Sequence, residues 1–541
     1  MYYKVEAYRA SEQAGKILNE QGITPVYVSD NPVINAQHVL FEAAKAYRYG
    51  LPYHVALAGV TSASAELLGL GERIGKVKPG YDADVVVWDS DPLSVGAAPV
   101  QVWIDGAAQF DHPVELKKTS ESIVPDSSAQ ETHDILAEEA NAIFTGITRV
   151  TLPGHKKDFT PDHRGQTSGT LIMTNGKITC LGSCESESHA ALEHGFPTLA
   201  LKNGHISSPL IAFGSSLGLE EIAGEEDTQD GTNGDDAFSA AVDGLLLEGK
   251  GLAAAYRHGV TRAISAPAYK DSGSKGVSVG FRTGALNALE PGAVWRERVA
   301  LHYSLTLNVK QGKTSSLSSA VGELRGKLLR AVKRRETEAA KEDSSDEDVA
   351  LSAVVKGTMP LVVTVHSADI IASLLRVKDE VQGALKQSLK AEPLRLIVLG
   401  GAESHILASE LAAADVGVVL APMLPYAVEW DQRRSLTGAP LTNGTALDVL
   451  VAAGVKVGIS TAEDWETRDL DLAAGVAFAN GGGKLSETEA WDLANTNIYE
   501  MLGLEVEKGT HEFVVYEGNP LRIDSRVRAV NDGRGKASIW T

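Results

Sequence analysis

Residues 60–93 read VTSASAELLGLGERIGKVKPGYDADVVVWDSDPL, and they decide the fold. Helical spacing runs to Leu70. Gly80 and Asp82 then mark a turn, residues 85–88 form a short β-branched run, and Asp89 to Pro92 supply a second turn. The acids in this stretch read as punctuation. Asp82 orders a turn, Asp84 flanks the strand, and Asp89 and Asp91 flank the turn that follows.

Working outward, the same pattern recurs. ALAGVTSASAELLGL at 56–70 aligns without a gap to AWDLANTNIYEMLGL at 490–504. KPGYDADVVVWDSDPL is answered by EKGTHEFVVYEGNPL at 507–521, and WIDGAAQ by VNDGRGK. Upstream, GITPVYVSD at 22–30 pairs with GVKVGIST at 454–461. The chain therefore holds two unequal copies of one unit. Residues 1–118 read as the tail of a first copy whose beginning lies outside the chain, and 119–541 as a full second copy.

The composition is that of a soluble globular protein, with 43% hydrophobic and 22% charged residues over 541 positions. A net charge of −21 argues against nucleic acid or an anionic membrane as partner. No apolar run is long enough to span a bilayer, and the first residues lack the layout of a signal peptide. A cytoplasmic location is the default expectation. Cys180 and Cys184 are the two cysteines and are expected as inert thiols in a turn between strands. Between about 209 and 505 strands alternate with helices: LIAFG, VTRAISA, LTLNV, LVVTVHSA, LRLIVLGG, GVVLAP and KVGIST are the strand candidates. That length and rhythm predict a (β/α)8 barrel. Charge-rich insertions near 220–236 and at 333–348 read as solvated loops.

The 60–93 signature resembles the C-terminal signature of the amidohydrolase superfamily. The likeness extends over nearly the whole chain, and is closest to large fungal tandem-copy proteins related to imidazolonepropionase-like enzymes, here N-terminally truncated. The resemblance implies an α/β fold: a TIM-type barrel with a composite β-sandwich, preceded by the C-terminal piece of another copy. The expected organisation is 1–70, last strand and helices of a first barrel; 71–118, its sandwich tail; and 119–133, a linker. Then come 134–208, the leading sandwich part of the second copy; 209–505, a degenerate barrel; and 506–541, a second sandwich tail.

Such enzymes, as the resemblance implies, hold divalent metal at the barrel mouth. Their ligands are an H-x-H pair after strand 1, histidines after strands 5 and 6, and a catalytic aspartate after strand 8. The metal acidifies a bound water and a carboxylate takes its proton. Asp30, in VYVSDNP, matches the strand-8 acid and is the candidate catalytic residue and metal ligand; a helix N-cap is the structural alternative. His366 matches the strand-5 histidine, and His405 lies just beyond the glycine pair that ends strand 6. Lys310 is a candidate remnant of the strand-4 position, whereas His302 reads as a core or surface residue. The second copy departs from the pattern. Its strand-1 pair reads Phe213 and Ser215, and its strand-8 position is Ser460 or Thr461. Glu463 and Asp464 lie just beyond and could substitute only through a rearranged loop.

The expected function is a metal-dependent hydrolase of non-peptide carbon–nitrogen bonds, such as cyclic or linear amides, with an incomplete site. The alternative is a catalytically inactive barrel with a structural or ligand-binding role. Zinc is the expected cofactor of the family, weak or absent in this chain. A small-molecule substrate or ligand is the expected partner. Residues 1–70 should either pack on the second copy or expose an apolar strand edge, which invites packing on an absent N-terminal half or self-association.

Overall fold

The computed structural model describes residues 4–118, 136–153, 155–159, 168–231, 238–267, 274–311, 314–337, 344–387, 392–505 and 511–540. The linker expected at 119–133 lies outside them.

The first unit opens with a 3-10 turn at Val5–Ala7 followed by α1 (Ala14–Glu20). Helix α2 (Val39–Arg48) ends at Gly50, whose φ of +94° is the left-handed cap that glycine adopts without strain. The spacing up to Leu70 breaks into α3 (Tyr53–Ala58) and α4 (Ser62–Leu67). The strands β1 (Val85–Trp88), β2 (Pro99–Ile104) and β3 (Ala107–Ala108) form an antiparallel meander. One expectation is corrected here. ITPVYVSD is extended but is not a buried strand: Val26 and Val28 are exposed, and the Tyr27 N–H bonds Gly59 O at 3.2 Å in place of a ladder. A β-branched run needs flanking strands to bury it, and none of the described strands pairs with this one.

The second unit opens with β4 (Leu136–Glu139), β5 (Ala142–Leu152), β6 (His155–Asp158), β7 (Gly169–Thr174) and β8 (Lys177–Gly182), then a helix, α5 (Glu185–Glu193), and β9 (Thr198–Ser207). Cys180 and Cys184 are joined in a disulfide between β8 and α5. That corrects the expectation of free thiols; the chain turns sharply enough to bring the Cα atoms within 6.0 Å.

The alternating region supplies β10 (Leu210–Phe213), β11 (Val260–Ser265), β12 (Ser274–Val277), β13 (Val279–Arg282), β14 (Val294–Arg296) and β15 (Leu301–Ser304). It continues with β16 (Leu361–Val365), β17 (Leu396–Gly400), β18 (Gly417–Leu420) and β19 (Val457–Ile459). Two runs are parallel, β10–β11 and β15 to β19, and they form a curled sheet. Their strands are apolar almost throughout because both faces are covered. Helices Leu317–Thr337 and Ala368–Gln387 are the longest of the covering elements. A single ladder of eight parallel strands is not what the described residues form. Antiparallel β12, β13 and β14 stand between the two runs, and β10 meets β19 through a side chain: Ser460 Oγ donates to Phe213 O at 2.5 Å. The strand expected at LTLNV is displaced to Leu301–Ser304. Pairing stops where Leu305 N–H bonds Thr364 O, and Leu307–Gln311 is a 3-10 turn, so Lys310 does not end a strand.

The chain closes with β20 (Glu512–Glu517), β21 (Arg526–Asp532) and β22 (Ala537–Trp540). They join the leading strands in one sheet, in the order β4-β22-β21-β20-β9-β5-β7-β8, with β6 on β5. Phe144, Ile147, Leu171, Phe513 and Val515 fill its core. The early and late parts of residues 136–540 are thereby tied into a single layer, with the curled sheet between them in sequence.

The first unit packs on the second. Leu40, Ala43, Tyr47, Leu51 and Leu93 cluster with Ile523 and Leu472. Arg48 bonds Asp471 at 2.7 Å, with both side chains buried, and Lys45 pairs with Asp469 at 3.0 Å. Tyr8 donates to Glu221 at 2.6 Å, Glu12 pairs with Arg468, and Tyr426 donates to Pro32 O at 2.7 Å. The helices of residues 39–58 dock on the later part of the chain, while the extended segment at 23–30 is largely exposed and is not assigned as a strand.

Candidate functional site

The chemistry-bearing residues gather where the parallel strands end. His366 follows β16, and its main chain is anchored: Glu403 N–H donates to His366 O at 3.0 Å, and Gly401 N–H to Val365 O at 2.8 Å. The imidazole lies against the end of β17. Gly400 has φ +93°, and a Cβ there would stand 2.6 Å from His366 Cε1. Only glycine leaves room for the ring. Burial lowers the His366 pKa to about 4, against the pull of Glu429 and Glu403. Its Nδ1 is buried without a hydrogen-bond partner among the described residues. His405 sits in the 3-10 turn Ser404–Leu407, half-buried, with its pKa lowered chiefly by burial.

Glu403, which no motif in the sequence marks, is a carboxylate whose charge opposes the lowering of both histidines' pKa values, second to Glu429 at His366. It is fully buried. Oε2 accepts from Arg434 Nη2 at 2.6 Å and from Ala368 N–H at 3.0 Å; Oε1 accepts from Arg434 N–H at 3.1 Å. Burial works to raise its pKa, but these donors outweigh it and hold it below the usual range. The bonds commit Glu403 to clamping the start of helix Ala368–Gln387, where a carboxylate also complements the helix dipole. Its signal in the sequence was a glutamate two residues beyond a strand-ending glycine pair. Its partner stands 31 residues away and carries no motif.

Opposite this rim, the β10 and β19 ends hold different side chains. Phe213 is buried among Ile211, Ile264 and Leu399, with its ring 6.1 Å from that of His302, which is a core residue of β15. Ser460 is buried and donates to Phe213 O. Beyond Ser460, the 3-10 turn Asp464–Asp469 brings Asp464 beside Ser216 and Ser215. Burial drives the Asp464 carboxyl up to about 7, and Glu220 adds to the rise, against hydrogen bonds from Ser216 and Ser215. Glu463 is raised as well, by burial and by Glu220.

Of the residues singled out in the sequence, His366 and His405 flank Glu403 along the ends of β16 and β17, with the Glu403 N–H bonded to His366 O. Asp30 occupies an exposed turn of the first unit at φ +50°. Among the described residues, no three His, Cys, Asp or Glu side chains converge to hold a metal ion. The donor set fails the same test chemically. A phenyl ring cannot ligate zinc, and a serine hydroxyl already given to a carbonyl cannot replace a carboxylate. The mouth of the curled sheet therefore does not fit a family-type metal centre.

Residues 47–108, from the end of α2 through β3, match the amidohydrolase family. The match falls on the stretch that carries the turn–strand–turn signature. Amidohydrolase tasK of Hapsidospora irregularis is 48% identical over 542 residues, covering 94% of this chain and 54% of tasK. In sequence this chain is similar to the amidohydrolases. It spans about half the length of the curated relative that it matches. Among solved structures, an amidohydrolase from Thermotoga maritima MSB8 superposes with a TM-score of 0.56 at 16% identity, covering 72% of this chain and 98% of that one. The likeness is one of fold: this chain shares the mixed α/β architecture with its curled sheet.

Proposed function

We propose that residues 209–505 form a non-hydrolytic amidohydrolase-type barrel, retained for its structure and its packing on the first unit. Likeness to amidohydrolases supports a hydrolase ancestry, and the local chemistry supports the loss. One observation carries the reading. Where an H-x-H pair and a strand-8 acid would face each other, Phe213 and Ser460 are joined by a hydrogen bond instead. A hydrolase needs a water activated near neutrality and a base to take its proton, and this pair supplies neither.

The second reading is a hydrolase of carbon–nitrogen bonds in cyclic or linear amides. It is favoured by Asp464, an acid that titrates near 7 at the sheet's end, where general-base chemistry is best served. Turnover of a panel of cyclic and linear amides, with zinc or manganese added to the full chain, separates the two. The proposal expects no hydrolysis that depends on these residues. Turnover abolished by both Asp464→Asn and His366→Gln would establish the second reading.

A further inference from the structure

The internal repeat allows each side chain of the first unit to be compared with its counterpart in the second. Val28 aligns with Ile459, Leu68 with Leu502, and Val86 and Val87 with Val514 and Val515. The first-unit members are 78, 74, 43 and 44% exposed, and their counterparts 0, 2, 0 and 0%. More than half of the exposed large apolar side chains among the described residues belong to the first unit. Apolar surface on this scale marks an interface rather than an ordinary surface.

What buries the counterparts shows what fits the face. Val514 and Val515 lie on β20, which is paired on both edges, with β21 on one side and antiparallel β9 on the other. Among the described strands, β1 of the first unit pairs with β2 alone, the counterpart of β21. Its open edge is the one that β9 fills in the second unit. Leu502 packs in the cluster that contains Ile211 and Phe213 of β10, and Ile459 precedes the Ser460 bond to Phe213. Both absent neighbours are thus leading strands of a unit.

We propose that residues 23–29, 67–70 and 85–88 form a docking face for a polypeptide that supplies counterparts of β9 and β10, the amino-terminal strands of an amidohydrolase-type unit. The first of these strands adds antiparallel to the open edge of β1, so main-chain bonds give affinity and the exposed valines and leucines give register. A second copy of this chain is a poor occupant, because its β9 is already paired on both edges, with β20 and β5. The curated relative has the length to carry such a segment, since this chain spans 54% of it. The inference does not depend on whether the barrel hydrolyses anything.

The test co-expresses the full chain with the part of tasK that lies outside its match to this chain. An equimolar complex in analytical ultracentrifugation is expected, with amide exchange over 23–29, 67–70 and 85–88 slowed about tenfold or more. The triple variant Val28→Glu, Leu68→Glu, Val86→Glu should lose the complex while keeping the unfolding midpoint of the chain alone, because these side chains are exposed there. Intact tasK gives a second measurement: its segments matching the three stretches should exchange more slowly than in this chain. Equal exchange in intact tasK, or a complex that leaves the three segments unprotected, would overturn the proposal. So would a homodimer of this chain that protects them.

Discussion

The contact between Arg48 and Asp471 carries the sharpest prediction about how the two units hold together. The pair is 2.7 Å long, with side-chain exposures of 5 and 0%, and it ties α2 to the helix Leu470–Asn480. Removing one partner strands a charge in a dry interface, and breaking a buried pair costs about 3–5 kcal/mol. Asp471 also accepts the Leu472 N–H at 2.9 Å, so Asp471→Ala removes a second bond. At about 1.4 kcal/mol per tenfold, the loss corresponds to roughly two to four decades in the opening constant of α2. Native-state hydrogen exchange of the α2 amides reads that constant directly. Asp471→Ala and Arg48→Ala should each speed exchange to this extent, whereas the double variant Arg48→Met, Asp471→Leu should recover most of the protection, since no charge is left unpaired. Exchange in Asp471→Ala within about tenfold of the parent would refute the reasoning. A double variant as labile as the single ones would assign the contact to shape rather than charge.

Three further outcomes follow from the sheet's mouth. The Asp464 pKa is raised to about 7 in the folded chain, so the native state keeps a proton that the unfolded chain releases near pH 4, and this group's contribution to stability falls as pH rises through that window. Asp464→Asn should therefore be stabilising at pH 8 by about 1 kcal/mol or more and neutral at pH 4, as read by urea unfolding at both values. His366 runs the other way: its folded pKa of about 4 makes stability drop as pH falls from about 6.5, and His366→Gln should flatten that acid limb by about 1–3 kcal/mol in the same titration. Gly400→Ala sets a Cβ against the His366 ring at positive φ and should lower stability by about 1–3 kcal/mol, visible as a lower urea midpoint.

What was legible in the sequence was local. The turn residues Gly80 and Asp82 with the run at 85–88 place β1 within the chain and lead to the family. Glycine at position 50 marks the end of α2 for the same reason, since a single residue's backbone decides it. What escaped depends on distant neighbours. ITPVYVSD has the composition of a strand, but a strand needs partners, and the described residues give it none. LHYSLTLNV contains two overlapping apolar runs, and pairing with β16 selects the first. The clamp of Arg434 on Glu403 and the approach of Asp464 to Ser215 join residues far apart in the chain, with no spacing to announce them.

The central claim is that the mouth of the curled sheet lost its metal chemistry when Phe213 and Ser460 took the ligand positions. Metal content after exhaustive dialysis of the purified full chain against metal-free buffer, followed by inductively coupled plasma mass spectrometry, tests it most directly. The account predicts divalent metal far below stoichiometric, unchanged by Asp464→Asn or His366→Gln. Zinc retained at about one ion per chain, and lost in those variants, would contradict it.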